Sequence, residues 1–348
     1  MSIRISIIGF GAVGQGVADA LMRTDYPIKV VAIADSSGAV VDADGVDLAS
    51  ALQRKRETGT VTVAVADNAF GIDACVTDGG AAADTAGMTA LDAIKGEDHE
   101  IMVEATPTDI TTGGIGLSHI RGAFESRRHV VTSNKGPLVV AYSELCGLAR
   151  KNDRHFRFEA TVGGAMPAIN LSNETLAGNR IISIEGVLNG TCNYILTRMD
   201  DEGVSYEHAL GEAQELGIAE ADPSADVDGI DTAAKIVILA NSVFGMDVGY
   251  DDVDVTGITK ITPESFKLAK EEGHTIKLIG EIRDGVLKVA PKMVPRNHPL
   301  SIGGTFNLAS IQTELAGRIT IGGIGAGSVE TASAILSDIL WIEQAIRD

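Results

Sequence analysis

The chain has 348 residues, 45% of them hydrophobic and 4% aromatic, enough for about two domains with their own cores. Its 48 acidic residues against 28 basic ones leave a formal net charge of -20, which argues against nucleic acid and anionic membrane surfaces as partners. Three scattered cysteines (Cys75, Cys146, Cys192) form neither a disulfide framework nor a zinc spacing. No apolar run nears the roughly 20 residues of a membrane span, and no leader-type segment precedes the first glycine motif, so a reduced, soluble, cytoplasmic protein is expected.

The first elements alternate. Ile3 to Gly9 predicts a strand, Val13 to Met22 a helix and Lys29 to Ala34 a second strand. Asp35 to Thr60 runs from acidic to basic and predicts a loop plus a helix. Thr77 to Thr89, rich in Gly, Ala and Asp, predicts a loop leading into a helix. His99 to Ala105 and His129 to Ser133 are further strands. Strand and helix in alternation imply parallel crossovers, hence an α/β fold with an open, doubly wound sheet of Rossmann type. After about residue 155 the rhythm changes. FRFEATVGGAMPAINL and IISIEGVLNGTCNYILTRM each predict a strand, a glycine turn and a helix. Strands recur at Val286 to Lys292 and Arg318 to Gly322. This second domain is expected to be α+β with its own sheet.

GFGAVG, Gly9 to Gly14, stands between an apolar strand and a helix. Gly9 permits the tight turn and Gly11 the close approach of a pyrophosphate. Gly14 allows helix and strand to pack closely, with Ala12 and Val13 at the helix start. Asp35 closes the next strand, where an acid accepts from ribose hydroxyls. An NAD or NADP site follows. Asp35 would repel a 2′-phosphate and so favours NAD; Lys55 or Arg56 swinging in would reverse that preference.

EADPSADVDGIDTAAK, Glu220 to Lys235, gathers five carboxylates and a lysine before an apolar run. A helix starting near an Asp228 N-cap would place Asp228, Asp231 and Lys235 within roughly 60° of one another. On these residues alone, an i,i+4 ion pair on a solvated face is one reading. The other is a site for a zwitterionic substrate, in which a carboxylate binds an ammonium and a lysine moves the proton that accompanies a hydride.

Taken together, GFGAVG, VEATP (103–107), TSNKGP (132–137), FEATVGGAMP (158–167), GVLNGTCNYIL (186–196), EADPSADVDGIDTAAK and GIGAGSVETASAILSDI (323–339) resemble the homoserine dehydrogenases over almost the whole chain. The resemblance implies NAD(P)-dependent interconversion of L-homoserine and L-aspartate 4-semialdehyde, a step toward threonine and methionine. Another amino-acid dehydrogenase on the same scaffold is the alternative.

By the same resemblance, Lys235 carries the proton, Lys135 is a second catalytic lysine and Asp231 meets the substrate hydroxyl. Glu220 and Asp226 hold the amino group, and Gly190 and Thr191 line the pocket. Thr106 and Ser133 lie against the nicotinamide half, and Gly325 belongs to a segment returning to the nucleotide domain. Glu159, Val162, Gly164 and Met166 match a monovalent-cation (Na or K) site. The implied domains are 1–155, completed by 320–348, for the dinucleotide, and 156–319 for substrate binding and homodimerisation. Ile218 departs from the tyrosine frequent in the family. A regulatory domain after residue 348 is not expected. Cys192 is expected to be an ordinary buried cysteine, because hydride transfer needs no covalent intermediate.

Overall fold

The computed structural model describes residues 2–62, 83–96 and 98–347; Cys75 and the first part of the predicted 77–89 loop lie outside them. The chain divides into two compact units, Met1–Ala160 with Thr331–Asp348, and Thr161–Glu330.

In the first unit, strands β1 (Ile3–Ile8), β2 (Ile28–Asp35), β3 (Gly38–Val41), β4 (Ala83–Ala86), β5 (Ile101–Glu104), β6 (His129–Thr132) and β7 (Phe156–Arg157) form one sheet. Its order is β4-β3-β2-β1-β5-β6-β7. The strands from β2 to β7 run parallel, and β3 and β4 pair antiparallel at one edge. Helices α1 (Ala12–Met22), α2 (Leu48–Thr58), α3 (Ala90–Gly96), α4 (Gly114–Glu125) and α5 (Lys135–Lys151) connect them.

The strands read as nearly continuous apolar runs because both faces are covered. Ile5, Ile7, Ile33, Ile101 and Val103 pack with Val17 of α1, Leu52 of α2 and Ile335 and Ile339 of the C-terminal helix (Ser328–Arg347). Alternate residues Ile8, Ala32, Ala34, Met102 and Val130 pack with Ile94 of α3, Ile120 of α4 and Leu145 of α5. Each of these Val, Leu, Ile and Met side chains, fully buried, contributes about 1.5–3 kcal/mol. The order of connections reverses between β1 and β5, which opens a crevice at their carboxyl ends.

Three local expectations are corrected. The span after Asp35 holds a strand, β3, because the Asp35 side chain accepts from Ser37 N (2.8 Å) and turns the chain back on itself. Residues 83–86 are a strand, where a loop was expected. The strand in FRFEATV is only two residues long. There Asp338 of the C-terminal helix takes the amide of Glu159 at 2.8 Å, and a 3-10 turn, Glu159–Thr161, follows.

In the second unit, β8 (Ile181–Val187), β9 (Val253–Val255), β10 (His274–Arg283), β11 (Val286–Pro295), β12 (Phe306–Thr313) and β13 (Arg318–Ile324) form a sheet ordered β13-β12-β8-β10-β11-β9. It is antiparallel except for β11 with β9. Its helices are α6 (Ala168–Asn170), α7 (Gly190–Glu202), α8 (Tyr206–Glu215), α9 (Ser224–Val227), α10 (Ile230–Phe244) and α11 (Pro263–Glu271). Gly280 of β10 leaves room for Ile236 and Thr232 of α10, whose atoms stand 2.9–3.0 Å from where a Cβ would be. The helix therefore lies directly on the sheet. Among the described residues no helix is long and apolar enough to cross a membrane.

The C-terminal helix is pinned by aromatic and ionic contacts. Trp341 meets His155 edge-on at 5.2 Å, His155 stacks on His129 at 5.1 Å, and the Arg157 guanidinium lies 4.1 Å from the Trp341 ring. Burial first, then the positive charges of His155 and Arg154, hold His129 down to about 4 against 6.5 for an exposed imidazole. The unfolded chain therefore binds this proton first as acid is added, and the stability His129 contributes falls as pH drops from 6.5 towards 4. His129→Asn keeps an acceptor for the His155 amide but cannot titrate. Its unfolding free energy from urea titration should fall less steeply across that window, by of order 2 kcal/mol in total; equal slopes would contradict the assignment.

Candidate active site

At the start of α1 the backbone forms a bare cradle. Gly9, at φ +95, lies against β5: a Cβ there would stand 2.5 Å from the Ala105 carbonyl. A Cβ on Gly14 would meet the Gly9 oxygen at 2.1 Å, so only glycine lets the helix come this close. Gly11 has nothing within 4 Å of its Cβ position, and as N-cap it offers no side-chain acceptor to the amides of Ala12 and Val13. Free amides, a helix dipole and open space are what a pyrophosphate needs, so these residues fit a dinucleotide.

Asp35 ends β2, but its carboxylate is engaged. Lys55 Nζ donates to Oδ2 at 2.7 Å, Val61 N at 3.0 Å, and Ser37 donates to Oδ1 from both N and Oγ. Burial alone would raise its pKa; the bonds from Lys55 and Ser37 outweigh that and hold it below the usual carboxylate range. Of the two basic residues weighed from sequence, Lys55 is the one that reaches Asp35.

Thr106, Ser133 and Lys135 gather at the carboxyl ends of β5 and β6. Thr106 N donates to Glu104 Oε1 at 3.1 Å and Ser133 N to the Glu104 carbonyl at 3.1 Å. Asn134 caps α5 by accepting from Gly136 N at 3.0 Å, which makes the half-buried Lys135 the first residue of that helix.

In the second unit the acidic stretch folds against the start of α7. The expected N-cap is corrected: Asp228 ends the short helix α9, and Gly229 at φ +85 breaks the path and caps α10. Nor does α10 keep a solvated Asp–Lys face. Its residues Thr232 to Asn241 are all buried, and Lys235 is 7% exposed. Lys235 Nζ donates to Asp231 Oδ2 at 2.7 Å and to the Leu188 carbonyl at 2.6 Å. Asn189 Nδ2 donates to Asp226 Oδ1 at 2.6 Å and to Asp231 Oδ2 at 3.0 Å, while its Oδ1 caps α7 through Cys192 N at 2.8 Å. Thr191 Oγ1 donates to the Ile218 carbonyl at 3.1 Å. A Cβ on Gly190 would meet the Thr305 carbonyl at 2.7 Å.

Asp226, Asp231, Lys235, Gly190 and Thr191 therefore share one site. Glu220 does not join their network; its side chain is exposed and its carbonyl accepts from Gln214 at 3.1 Å. Gly325 belongs to this unit and packs on Asn307. The four cation candidates divide, with Glu159 in the first unit and Val162, Gly164 and Met166 in the second. Cys192 is buried, its thiol pushed well up by burial and by nearby acids, and it donates to the Asp226 carbonyl at 3.1 Å, as befits a structural cysteine.

Three contributors were missed from sequence. Asn189 bridges the two acids; an Asn just before a Gly-Thr helix start is a cap signal that could have found it. Asn307 Nδ2 shares the Leu188 carbonyl with Lys235, at 3.1 Å. Lys277, buried on β10, donates to Asn193 Oδ1 at 2.8 Å and Thr197 Oγ1 at 3.1 Å, and so ties α7 to the sheet; burial pulls it down to about 8. No local pattern marks the last two.

A family model described as homoserine dehydrogenase matches residues 167–340, and one for glutamate/leucine/phenylalanine/valine dehydrogenase matches residues 2–85. The homoserine dehydrogenase of Methanocaldococcus jannaschii is 50% identical over 350 residues, covering 99% of each chain. An NAD(+)-dependent homoserine dehydrogenase of Pseudomonas canavaninivorans is 34% identical over 98% of this chain and 96% of its own. A hyperthermophilic archaeal homoserine dehydrogenase solved in complex with NADPH superposes with a TM-score of 0.83 at 28% identity, covering 99% of this chain and 98% of the other. The glycine cradle, the buried Asp–Lys pair and relatives aligned from end to end lead to one assignment: the chain belongs to the homoserine dehydrogenase family.

Proposed function

We propose that the protein interconverts L-homoserine and L-aspartate 4-semialdehyde with a nicotinamide dinucleotide. The observation that carries this reading is the geometry of Lys235. Its ammonium is buried and spends two N–H groups on Asp231 and the Leu188 carbonyl, which leaves one for a substrate oxygen. A nicotinamide held by the first unit supplies or accepts the hydride. In oxidation the hydride leaves C4 of homoserine for the nicotinamide, and Lys235, having first lost one proton to solvent, takes the hydroxyl proton as the neutral amine. In reduction Lys235 returns a proton to the aldehyde oxygen. Lys135 acts as the second catalytic lysine.

Around Lys235, Asp231 receives the hydroxyl end of the substrate. Asp226, with Glu220, binds the ammonium and so selects amino acids. The amides of Gly190 and Thr191, at the positive end of α7, suit the substrate carboxylate. In the first unit, Gly9, Gly11, Ala12, Val13 and Gly14 hold the pyrophosphate, and Thr106 and Ser133 face the nicotinamide half. A monovalent cation at Val162, Gly164 and Met166, all in the second unit, is part of the same proposal. What supports it is the turn where Gly163 (φ +85) and Gly164 (φ +57) reverse the backbone. A homodimer through the second unit is also proposed, since β13 is an edge strand whose residues are all exposed or half-exposed.

Reduced-nicotinamide absorbance with L-homoserine tests the reaction. Lys235→Met should lower kcat by about 10³-fold, and Asp231→Asn by about 10²-fold, with the fold kept. An imine-reducing relative has no substrate hydroxyl and would tolerate Asp231→Asn; activity within a few-fold of wild type would move the assignment there.

The Asp35–Lys55 pair sets the cofactor preference. The carboxylate accepts from the ribose hydroxyls in place of Ser37 Oγ and repels a 2′-phosphate, so NAD is preferred. Asp35→Ser removes the repulsion and frees Lys55, and kcat/KM for NADP should rise about 10-fold or more while that for NAD falls. Lys55→Ala should abolish whatever NADP activity the wild type has and spare NAD. Equal effects on both cofactors in both variants would contradict this division.

A further inference from the structure

The first unit holds a buried carboxylate to which the proposed reaction assigns no part. Glu104, at the end of β5, is fully buried, and His119 Nδ1 stands 3.9 Å from its Oε1, beyond hydrogen-bond reach. Neutral donors hold Glu104 instead. Its Oε1 accepts from Thr106 N at 3.1 Å and from Thr106 Oγ1, and its Oε2 accepts from Thr132 Oγ1 at 3.1 Å. Thr132 Oγ1 accepts in turn from Asn134 N at 3.0 Å. Asn134 Nδ2 closes the circuit on Thr106 Oγ1 at 3.3 Å, and Asn134 Oδ1 caps α5. The ring runs Glu104–Thr106–Asn134–Thr132 and back, with three members fully or almost fully buried and Thr106 half-buried. Helix α4 seals it: a Cβ on Gly116 would stand 2.5 Å from Asn134 Nδ2 and 3.0 Å from Glu104 Oε1.

We propose that Glu104 is a positioning residue that sets the nicotinamide end of the dinucleotide crevice, fixing Thr106 directly and the α5 start with Lys135 through Thr132 and Asn134. The direction of the bonds favours a carboxylate. Every group bonded to the Glu104 carboxylate donates: one amide and two hydroxyls. A glutamine keeps one oxygen for Thr106 N and turns its NH₂ to Thr132 Oγ1, whose single hydrogen then goes to the Glu104 main-chain carbonyl at 3.2 Å; the link from Thr132 to the side chain at position 104 is reversed and loses its charge assistance. The circuit joins the two strand ends, β5 and β6, that border the crevice beside β1. A ring weakened at that link loosens Thr106 on one side and the cap of α5 on the other. The inference rests on the dinucleotide reading of this unit, and its effect on turnover rests on the homoserine reading.

The test uses Glu104→Gln, Thr132→Val and Gly116→Ala in the full-length protein, with two readouts. The first is the dissociation constant of NADH against that of ADP-ribose, which lacks the nicotinamide. Glu104→Gln should weaken NADH about 10-fold and leave ADP-ribose within about 2-fold. The second is kcat for homoserine oxidation and its deuterium isotope effect with C4-deuterated substrate. kcat should fall about 100-fold, the isotope effect should rise because hydride transfer becomes limiting, and the homoserine KM should stay within about 3-fold. Thr132→Val cuts a single link, and Gly116→Ala presses a methyl on the ring from outside; both should act in the same direction. They carry the test should Glu104→Gln fail to fold. Variants with a lowered melting temperature but an unchanged NADH-to-ADP-ribose ratio and unchanged kcat would overturn the proposal and leave the ring a purely structural feature. A wild type inert toward homoserine would sink the reaction, while the binding ratio would still decide the role of Glu104.

Discussion

A buried ammonium is the constraint on which the second unit is organised. Removing a lysine from water costs several kcal/mol unless its charge is matched and its N–H groups are bonded. Lys235 meets that cost with one carboxylate, Asp231, and one backbone carbonyl, Leu188. The carbonyl is free because β8 ends at Val187, before the sheet can use it, and Asn307 of β12 donates to it from the other side. Asp231 is in turn held by Asn189, whose other end caps α7. The helix that carries the lysine, the strand end that accepts from it and the helix whose amides face the site are thus fastened at one point. Gly229 makes this possible by breaking the helical path between α9 and α10, so that Asp226 and Asp231 reach Asn189 from two different helices.

The first unit meets a different demand, close approach of backbone to an anion, and it does so by leaving side chains out. Gly9 and Gly14 touch backbone where a Cβ would stand, while Gly11 faces open space. Polar side chains are then placed behind the strand ends, where they bond to one another. Glu104, Thr132 and Asn134 are among the most buried polar groups of the chain. A carboxylate at that depth is tolerable because three donors surround it, and the same three bonds make it rigid.

The architecture was largely legible because its signals are local. GFGAVG marks its own strand and helix. Apolar runs at β1, β2, β5 and β6 are long enough to stand out, since both of their faces are covered. What escaped were short elements whose existence depends on a partner. β3 follows a two-residue turn made by the Asp35 side chain, and β9 is three residues paired to β11. The FRFEATV strand stops early because Asp338, far along the chain, takes the next amide. In the site, Asp226, Asp231 and Lys235 could be picked from one stretch, whereas Asn307 and Lys277 come from strands with no motif. Their roles exist only once the sheet has brought them to Leu188 and to α7.

The acidic stretch from Glu220 to Lys235 shows why composition alone misjudges such a segment. Its five carboxylates have four different fates. Asp222 accepts from Ser224 N at 3.1 Å and shapes the turn into α9. Asp228 ends α9 and is exposed. Asp226 and Asp231 share the Asn189 amide, and Asp231 alone also meets Lys235. Glu220 stays exposed. A solvated charge run would leave all five equivalent and each worth little. Here the chain bonds two to one asparagine and only one of them to the buried cation, so Asp226 keeps a negative charge once Lys235 is matched by Asp231. On the proposed reading, an ammonium-bearing substrate would supply the missing positive charge. Electrostatics of this kind favours an amino acid over the corresponding hydroxy acid, and it does so before any shape of the pocket is considered.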